Sequence, residues 1–214
     1  MADWATISSL ATAGGTLILA IATFSSVRSA NRAARTAERS LMAGIRPLLI
    51  PSRLEDPPEK IFFGGGDRGH WVVVAGGHAV AEVVDGVVYL ALALRNAGNG
   101  IAVLDRWCFY AGERGARHDP GEPSTFRRLT RDIYVPRGDL GFWQGSFRDP
   151  NEPEFGMAAE AIRKRGPLTV ELQYGDHEGG QRTISRFALI PAADDSWLTV
   201  VSRHWNLDRE QPRS

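Results

Sequence analysis

Residues 88–100 read VYLALALRNAGNG, and the first eight of them alternate in the manner of a β-strand. Every second residue from Val88 to Leu94 is a large aliphatic, so one face of this strand belongs to an apolar core. The stretch ends in the pentapeptide 96–100, whose glycines and asparagines tolerate a positive φ and favour a turn. A second apolar run covers residues 101–110. The sequence therefore predicts a β-hairpin at this point.

The same alternation recurs along the chain after residue 46. Residues 168–174 and 182–190 flank a glycine-rich turn at 175–180, which predicts a second hairpin. Shorter strands are predicted at 46–51, 71–74, 79–84, 132–135, 141–144 and 197–201. Residues 53–69 and 111–130 are rich in proline, glycine and polar residues, which predicts loops. One short helix is expected at 157–165, ended by Gly166 and Pro167.

Some eight short strands with a single helix between them predict a mainly β fold. We expect an antiparallel β-sandwich over residues 46–206, followed by a polar tail at 207–214.

The first 45 residues have a different character. No charged residue occurs between Trp4 and Val27, and Ala5 to Phe24 supplies the roughly 20 residues that a helix needs to cross the hydrocarbon core. A secretory signal peptide carries its positive charge before the apolar stretch, whereas here Asp3 precedes it and arginines follow. We therefore predict a transmembrane anchor at residues 1–27; a signal peptide and a buried helix of a soluble protein are the alternatives. Because positive flanks stay inside, we expect an inner (plasma) membrane protein with its N-terminus outside and its C-terminal domain cytoplasmic.

Residues 28–45 predict a basic helix, the collar, that continues the anchor. Small and apolar residues recur at a and d positions of two heptads, and we call this set the seam: Val27, Ala30, Ala34, Ala37 and Leu41. Four arginines fall at b and f positions, away from the seam: Arg28, Arg32, Arg35 and Arg39. The seam is a candidate for pairing with a second copy, and the arginines are candidates for contact with anionic headgroups. The remaining alternative is a solvated helix whose arginines only fix the topology.

Charge and cysteine content exclude two classes of protein. The chain has 25 basic and 25 acidic residues, and removing the collar arginines with Asp3 and Glu38 leaves 21 basic and 23 acidic. A domain that binds nucleic acid through phosphates is clearly basic, so no nucleic-acid partner is predicted. Cys108 is the single cysteine, which excludes an intramolecular disulfide and suits a reducing compartment.

No catalytic, metal-binding or cofactor-binding residues are predicted with a defined role. Asp176, His177 and Glu178 lie next to each other in a turn, where adjacent side chains diverge, and no His-x-x-x-His spacing supplies a second imidazole. Gly64-Gly65-Gly66 lacks the lysine of a phosphate loop. Trp143 and Trp205 sit beside polar residues and are candidates for a partner surface.

Two segments resemble immunoglobulin-like adhesion and assembly modules: Leu92–Ala102, with Asn96-Ala97-Gly98 at its corner, and Val135-Pro136-Arg137-Gly138-Asp139. The whole chain resembles uncharacterised bacterial single-pass membrane proteins with an arginine-rich collar and a C-terminal immunoglobulin-like β-sandwich domain. The resemblance implies binding or assembly and no particular functional residue. We therefore expect a membrane-anchored binding or assembly module. The alternatives are an enzyme or metal-binding domain that uses Asp176, His177, Glu178 and His204, and an accessory subunit of a larger membrane complex.

Overall fold

The computed structural model describes residues 3–64, 69–115 and 117–208, in two compact units that divide between Gly44 and Ile45. The first unit is one helix, α1 (Trp4–Gly44), of 41 residues. At about 1.5 Å per residue it is roughly 60 Å long, about twice the thickness of a hydrocarbon core. It is the one helix in the described residues that is long and apolar enough to cross a membrane. The prediction that the apolar segment continues into the basic one as a helix is confirmed.

The threonines of α1 explain how an apolar helix tolerates hydroxyl groups. Each hydroxyl donates to the carbonyl oxygen four residues earlier: Thr12 to Ser8 at 2.9 Å, Thr16 to Thr12 at 2.8 Å, and Thr23 to Leu19 at 2.8 Å. A hydroxyl that is satisfied within its own helix needs no partner from the surrounding medium. These residues therefore do not prevent α1 from lying in lipid.

The second unit contains eleven strands and one α-helix in its described residues, which confirms a mainly β antiparallel domain. The strands are β1 (Leu49–Pro51), β2 (Glu59–Phe63), β3 (His70–Val74), β4 (His78–Val84), β5 (Val87–Asn96), β6 (Ala102–Ala111), β7 (Arg127–Val135), β8 (Leu140–Phe147), β9 (Leu168–Gly175), β10 (Arg182–Pro191) and β11 (Trp197–Asn206). The helix α2 (Pro153–Arg163) precedes β9, and a short 3-10 helix (Pro123–Thr125) precedes β7. Residues 1–2 of the predicted anchor, 65–66 of the glycine run and 209–214 of the predicted tail lie outside the described residues.

Nine of the strands form one antiparallel sheet in the order β1-β5-β4-β11-β10-β9-β6-β7. β1 and β4 pair with successive parts of one edge of β5, and β8 pairs with its opposite edge. The sheet folds over a single core to which all nine strands and α2 contribute. Trp107 of β6 meets Trp143 of β8 edge to face at 5.1 Å, although these two strands are not hydrogen-bonded to each other. The packing therefore places β5 and β8 opposite β6 across the core.

β2 and β3 form a separate hairpin that covers the outer face of β5. The inner residues of this hairpin, Ile61, Phe63, Val72 and Val74, pack against Tyr89, Ala91 and Ala93. β5 is therefore buried on both faces. The prediction of a loop over 53–69 is wrong at this point, because the five residues of β2 alternate buried and exposed within a segment that is otherwise rich in proline and glycine.

The predicted hairpin of residues 88–110 is also wrong. β5 pairs with β1, β4 and β8, whereas β6 pairs with β7 and β9, so residues 97–101 carry the chain across the core instead of turning it back. The predicted hairpin of β9 and β10 is confirmed, with Arg186 opposite Glu171. β7 begins at Arg127, inside the stretch expected to be a loop, and α2 begins at Pro153, four residues before the predicted start.

Asn96 holds the corner between β5 and β6. Its side chain is fully buried: Oδ1 accepts from the backbone N–H groups of Leu48 (3.2 Å) and Gly98 (3.0 Å), and Nδ2 donates to the carbonyls of Gly100 (2.6 Å) and Val135 (2.9 Å). A Cβ at position 98 or 100 would overlap the backbone just before β1. The Asn-x-Gly pattern at this corner is therefore required by a close approach of three chain segments.

Candidate ligand-binding cleft

The two tryptophans predicted to form a partner surface are buried. Trp143 is 0% exposed and packs in the core against Trp107. Trp205 is 4% exposed and lies under the Arg186 guanidinium, 4.6 Å from the ring centroid. The polar residues next to each tryptophan in sequence point to the opposite face of the same strand. Both indoles therefore stabilise the domain and are not available to a partner.

The collar residues lie on α1 as the heptad analysis predicts, and those of the seam and of the arginine set are all exposed. At about 100° per residue, the five seam residues fall within an arc of about 80°, and the four arginines fall within an arc of about 60° on the opposite side. The roles assigned to the two arcs stay predictions.

The residues of the alternative enzyme site have separate environments. His177 is exposed at the tip of the β9–β10 hairpin, 3.6 Å from Glu178. Asp176 is buried beneath that tip, where Oδ1 accepts from the N–H groups of Gly180 and Gln181. His204 binds a different partner, Ser185. In the described residues, no group of three or more histidine, cysteine, aspartate or glutamate side chains is arranged to hold a metal ion.

His204 ends a chain of buried hydrogen bonds. The N–H of Leu49 donates to the Tyr174 hydroxyl (3.1 Å), which lies 2.8 Å from Ser185 Oγ, and Ser185 Oγ lies 2.6 Å from His204 Nδ1. Burial lowers the pKa of His204, which favours the neutral imidazole. Ser185 is fully buried, and this chain ties β1, β9, β10 and β11 together.

A second buried group fastens the loop before β7 to the sheet. Arg186 and Glu171 are each 0% exposed and form an ion pair, with Arg186 Nε donating to Glu171 Oε1 at 2.7 Å. The guanidinium also donates to the carbonyls of Gly115, His118 and Asp119, and Glu171 Oε2 accepts from the N–H of Gly121 at 2.8 Å. Every polar contact of this pair is thus with the chain itself, so it positions the loop.

A concave site lies between β7 and β8 in the described part of the domain. It is a cleft of about 640 Å³, within the range of about 300–1,000 Å³ that is usual for ligand sites. We call it the arginine cleft, because four arginines and a single acidic residue line it: Arg127, Arg128, Arg131, Arg148 and Glu152. The formal charge of its lining is therefore strongly positive, although the whole chain is neutral.

The four arginines have different roles. Arg127 pairs with Glu152, the residue before α2, and its guanidinium lies 5.0 Å from the Phe147 ring centroid. Arg148 donates to the Gly64 carbonyl at 2.6 Å and so links β8 to the β2–β3 hairpin. Arg128 and Arg131 are exposed, and neither forms an ion pair with a carboxylate of the described residues. These two arginines are therefore available to a ligand.

The pairing of β7 with β6 is interrupted beside the cleft. Leu104 of β6 faces Ile133, but Arg106 faces Arg128, so residues 129–132 of β7 lie opposite Asp105 alone. These four residues have no partners in the β6 ladder. Burial raises the pKa of Asp105 and Arg106 opposes the shift, with Arg128 contributing in the same direction as Arg106. Bulges of this kind re-aim side chains and leave backbone groups unpaired.

The rim of the cleft is apolar on one side. Phe62 lines the cleft and stacks at 4.8 Å on Trp71, which is 64% exposed. Both belong to the outer face of the β2–β3 hairpin, where Val73 is also exposed. Exposed aromatic side chains are therefore found on this hairpin, whereas Trp143 and Trp205 are buried.

Sequence reasoning missed this cleft because its residues come from two predicted loops and a short strand. The local signal was the pattern Arg127-Arg128-x-x-Arg131, in which charged residues break the alternation of an edge strand. Comparisons of the chain with protein-family models, with curated proteins and with solved structures find no match.

Proposed function

We propose that this protein is a membrane-anchored binding module in which α1 crosses the bacterial inner membrane and the β domain holds a negatively charged partner in the arginine cleft. The observation that supports it is the presence, in one chain, of a helix of spanning length and a cleft lined by four arginines and one glutamate. An immunoglobulin-like assembly module, as the Asn96 corner suggests, is the architecture that we propose for this role.

The anchor is tested by extraction. The full chain is expected to resist alkaline carbonate, and a chain lacking residues 1–27 is expected in the supernatant. A reporter fused at Ser214 is expected to be active in the cytoplasm, because the collar arginines follow the apolar segment. If the truncated chain stays with the membranes, or if the reporter is active only outside, the anchor or its orientation is wrong.

Binding is tested with charge-reversed variants of the full chain. Arg128→Glu with Arg131→Glu is expected to lose proteins that co-purify with the detergent-solubilised wild type. Arg137→Glu is the matched control, because Arg137 is equally exposed and lies just beyond the far end of β7. A co-purifying set that is the same in all three proteins would remove the cleft from the proposal.

A further inference from the structure

The charge of the arginine cleft limits the chemistry of its ligand. Glu152 offsets Arg127, which leaves Arg128 and Arg131 as exposed cations at the mouth. Guanidinium groups bind carboxylate and phosphate oxygens through paired N–H donors. The ligand is therefore an anion. It carries at least two carboxylate or phosphate groups, separated by about the distance between Arg128 and Arg131 in β7.

The walls of the cleft favour a polypeptide over a small anion. One wall is β7, which pairs only with β6 in the described part of the domain and ends the sheet order there. The other wall is β8, which pairs only with β5 in the described part of the domain. Both walls are therefore strand edges, and an added strand uses the N–H and C=O groups of such an edge. A phosphate or a small dicarboxylate would leave these groups unused.

The surfaces beside the arginines add an apolar requirement. Phe62 forms part of the rim, and Gly145 lines the cleft next to Trp107. A Cβ at Gly145 would come within 2.6 Å of the Trp143 ring and 3.0 Å of the Trp107 ring, so glycine leaves room for these two buried indoles behind the wall. A ligand residue that lies beside Phe62 can bury apolar surface there.

We propose that the arginine cleft takes an extended acidic segment of another polypeptide, which adds to β7 as a strand. Its carboxylates, on residues three positions apart as Arg128 and Arg131 are in β7, pair with these two arginines, and an apolar side chain packs on Phe62. This inference rests on the proposed function and names the partner of the same cleft. Charge supplies attraction that falls with salt, and the backbone pairing supplies the register.

The test is a selection from a displayed library of random peptides about twelve residues long, on the full chain held in detergent micelles. The library is depleted beforehand on the Arg128→Glu, Arg131→Glu protein. The expected winners carry aspartate or glutamate at two positions three residues apart, with an apolar residue beside them. Synthetic winners, followed by fluorescence anisotropy, are expected to bind about tenfold more weakly to Arg128→Gln or to Arg131→Gln, and unchanged to Arg137→Gln.

Backbone pairing is tested on the wild-type protein, so it does not depend on the folding of a variant. N-methylation of the best peptide at one set of alternate residues is expected to abolish binding, and at the other set to leave it within about threefold, since only every second N–H of a strand faces the paired edge. Equal tolerance of both sets, or winners without two acidic residues at that spacing, overturns the proposal. Tripolyphosphate that binds alone while no peptide is enriched assigns the cleft to a small anion. The co-purification experiment tests the proposed function separately, because it does not depend on how the partner binds in the cleft.

Discussion

Replacing Asn96 by alanine tests whether the corner between β5 and β6 holds the domain together. The side chain makes four hydrogen bonds to buried or partly buried backbone groups that belong to three segments of the chain. Each bond contributes a net of about 0.5–1.5 kcal/mol, and buried groups left without a partner carry their desolvation cost. We therefore expect Asn96→Ala to lower the free energy of unfolding by about 3–5 kcal/mol, a large part of the roughly 5–15 kcal/mol that holds a domain.

The assay is urea unfolding of the full chain in a mild non-ionic detergent, followed by the emission of the buried tryptophans. Asn99→Ala is the matched control, because Asn99 lies in the same turn but is exposed, and a change within about 0.5 kcal/mol is expected. Asn96→Asp keeps the acceptor but turns a carboxylate oxygen toward the carbonyls of Gly100 and Val135, so it should be no more stable than Asn96→Ala. If Asn96→Ala and Asn99→Ala unfold at the same urea concentration, the corner has no special role.

Three further predictions follow from the buried groups and from the collar. Arg186→Met leaves the Glu171 carboxylate without its ion-pair partner and is expected to cost about 3–5 kcal/mol in the same urea assay, whereas Glu171→Leu added to it should recover part of that loss. Because the pKa of His204 is lower in the folded chain than its ordinary value near 6.5, the unfolded chain binds more protons below that pH. The stability that depends on neutral His204 is therefore present above about pH 6.5 and lost as the pH falls through the folded pKa. The wild-type urea midpoint should thus drop between pH 7.5 and pH 5, and the drop should be smaller in His204→Gln. An equal drop in the two proteins would contradict this. In a Cys108→Ser chain, cysteines replacing Ala30, Ala34 or Ala37 should crosslink two copies in membranes, those replacing Arg28, Arg32 or Arg35 should not, and uniform crosslinking would exclude the seam.

Residue patterns predicted the parts of the fold whose partners are close in sequence. β9 and β10 alternate clearly on either side of a glycine-rich turn, and their pairing needs nothing else. The step from β5 to β6 has the same local signs, but its course is set by Asn96, whose partners include Leu48 and Val135, far from it in sequence. Local pattern cannot distinguish a turn that reverses the chain from a corner that carries it across a core.

The candidate site was out of reach of the sequence for a related reason. Trp143 and Trp205 were assigned to the surface from their polar neighbours, yet in a strand a polar neighbour indicates the opposite face and leaves the tryptophan inside. The cleft is lined by Arg128 and Arg131 of β7 and by Gly145 of β8. It is also lined by Phe62, from a hairpin whose first strand lies in a stretch that its proline and glycine content predicts to be a loop. The irregular pairing of β7, which opens the cleft, depends on tertiary structure.

The two arcs of α1 bear on how the proposed strand addition would work in a pair of copies. The seam and the arginine arc lie on opposite sides of the helix, so arginines at an anionic surface and a second copy at the seam do not compete for the same residues. Alanine side chains bury little area at about 25 cal/mol per Å², so the seam alone holds two copies only weakly. Two copies confined to one membrane meet at a high effective concentration, however, and a pair presents two arginine clefts. A partner with two acidic segments would then bind more tightly than either segment alone, and would stabilise the pair in return.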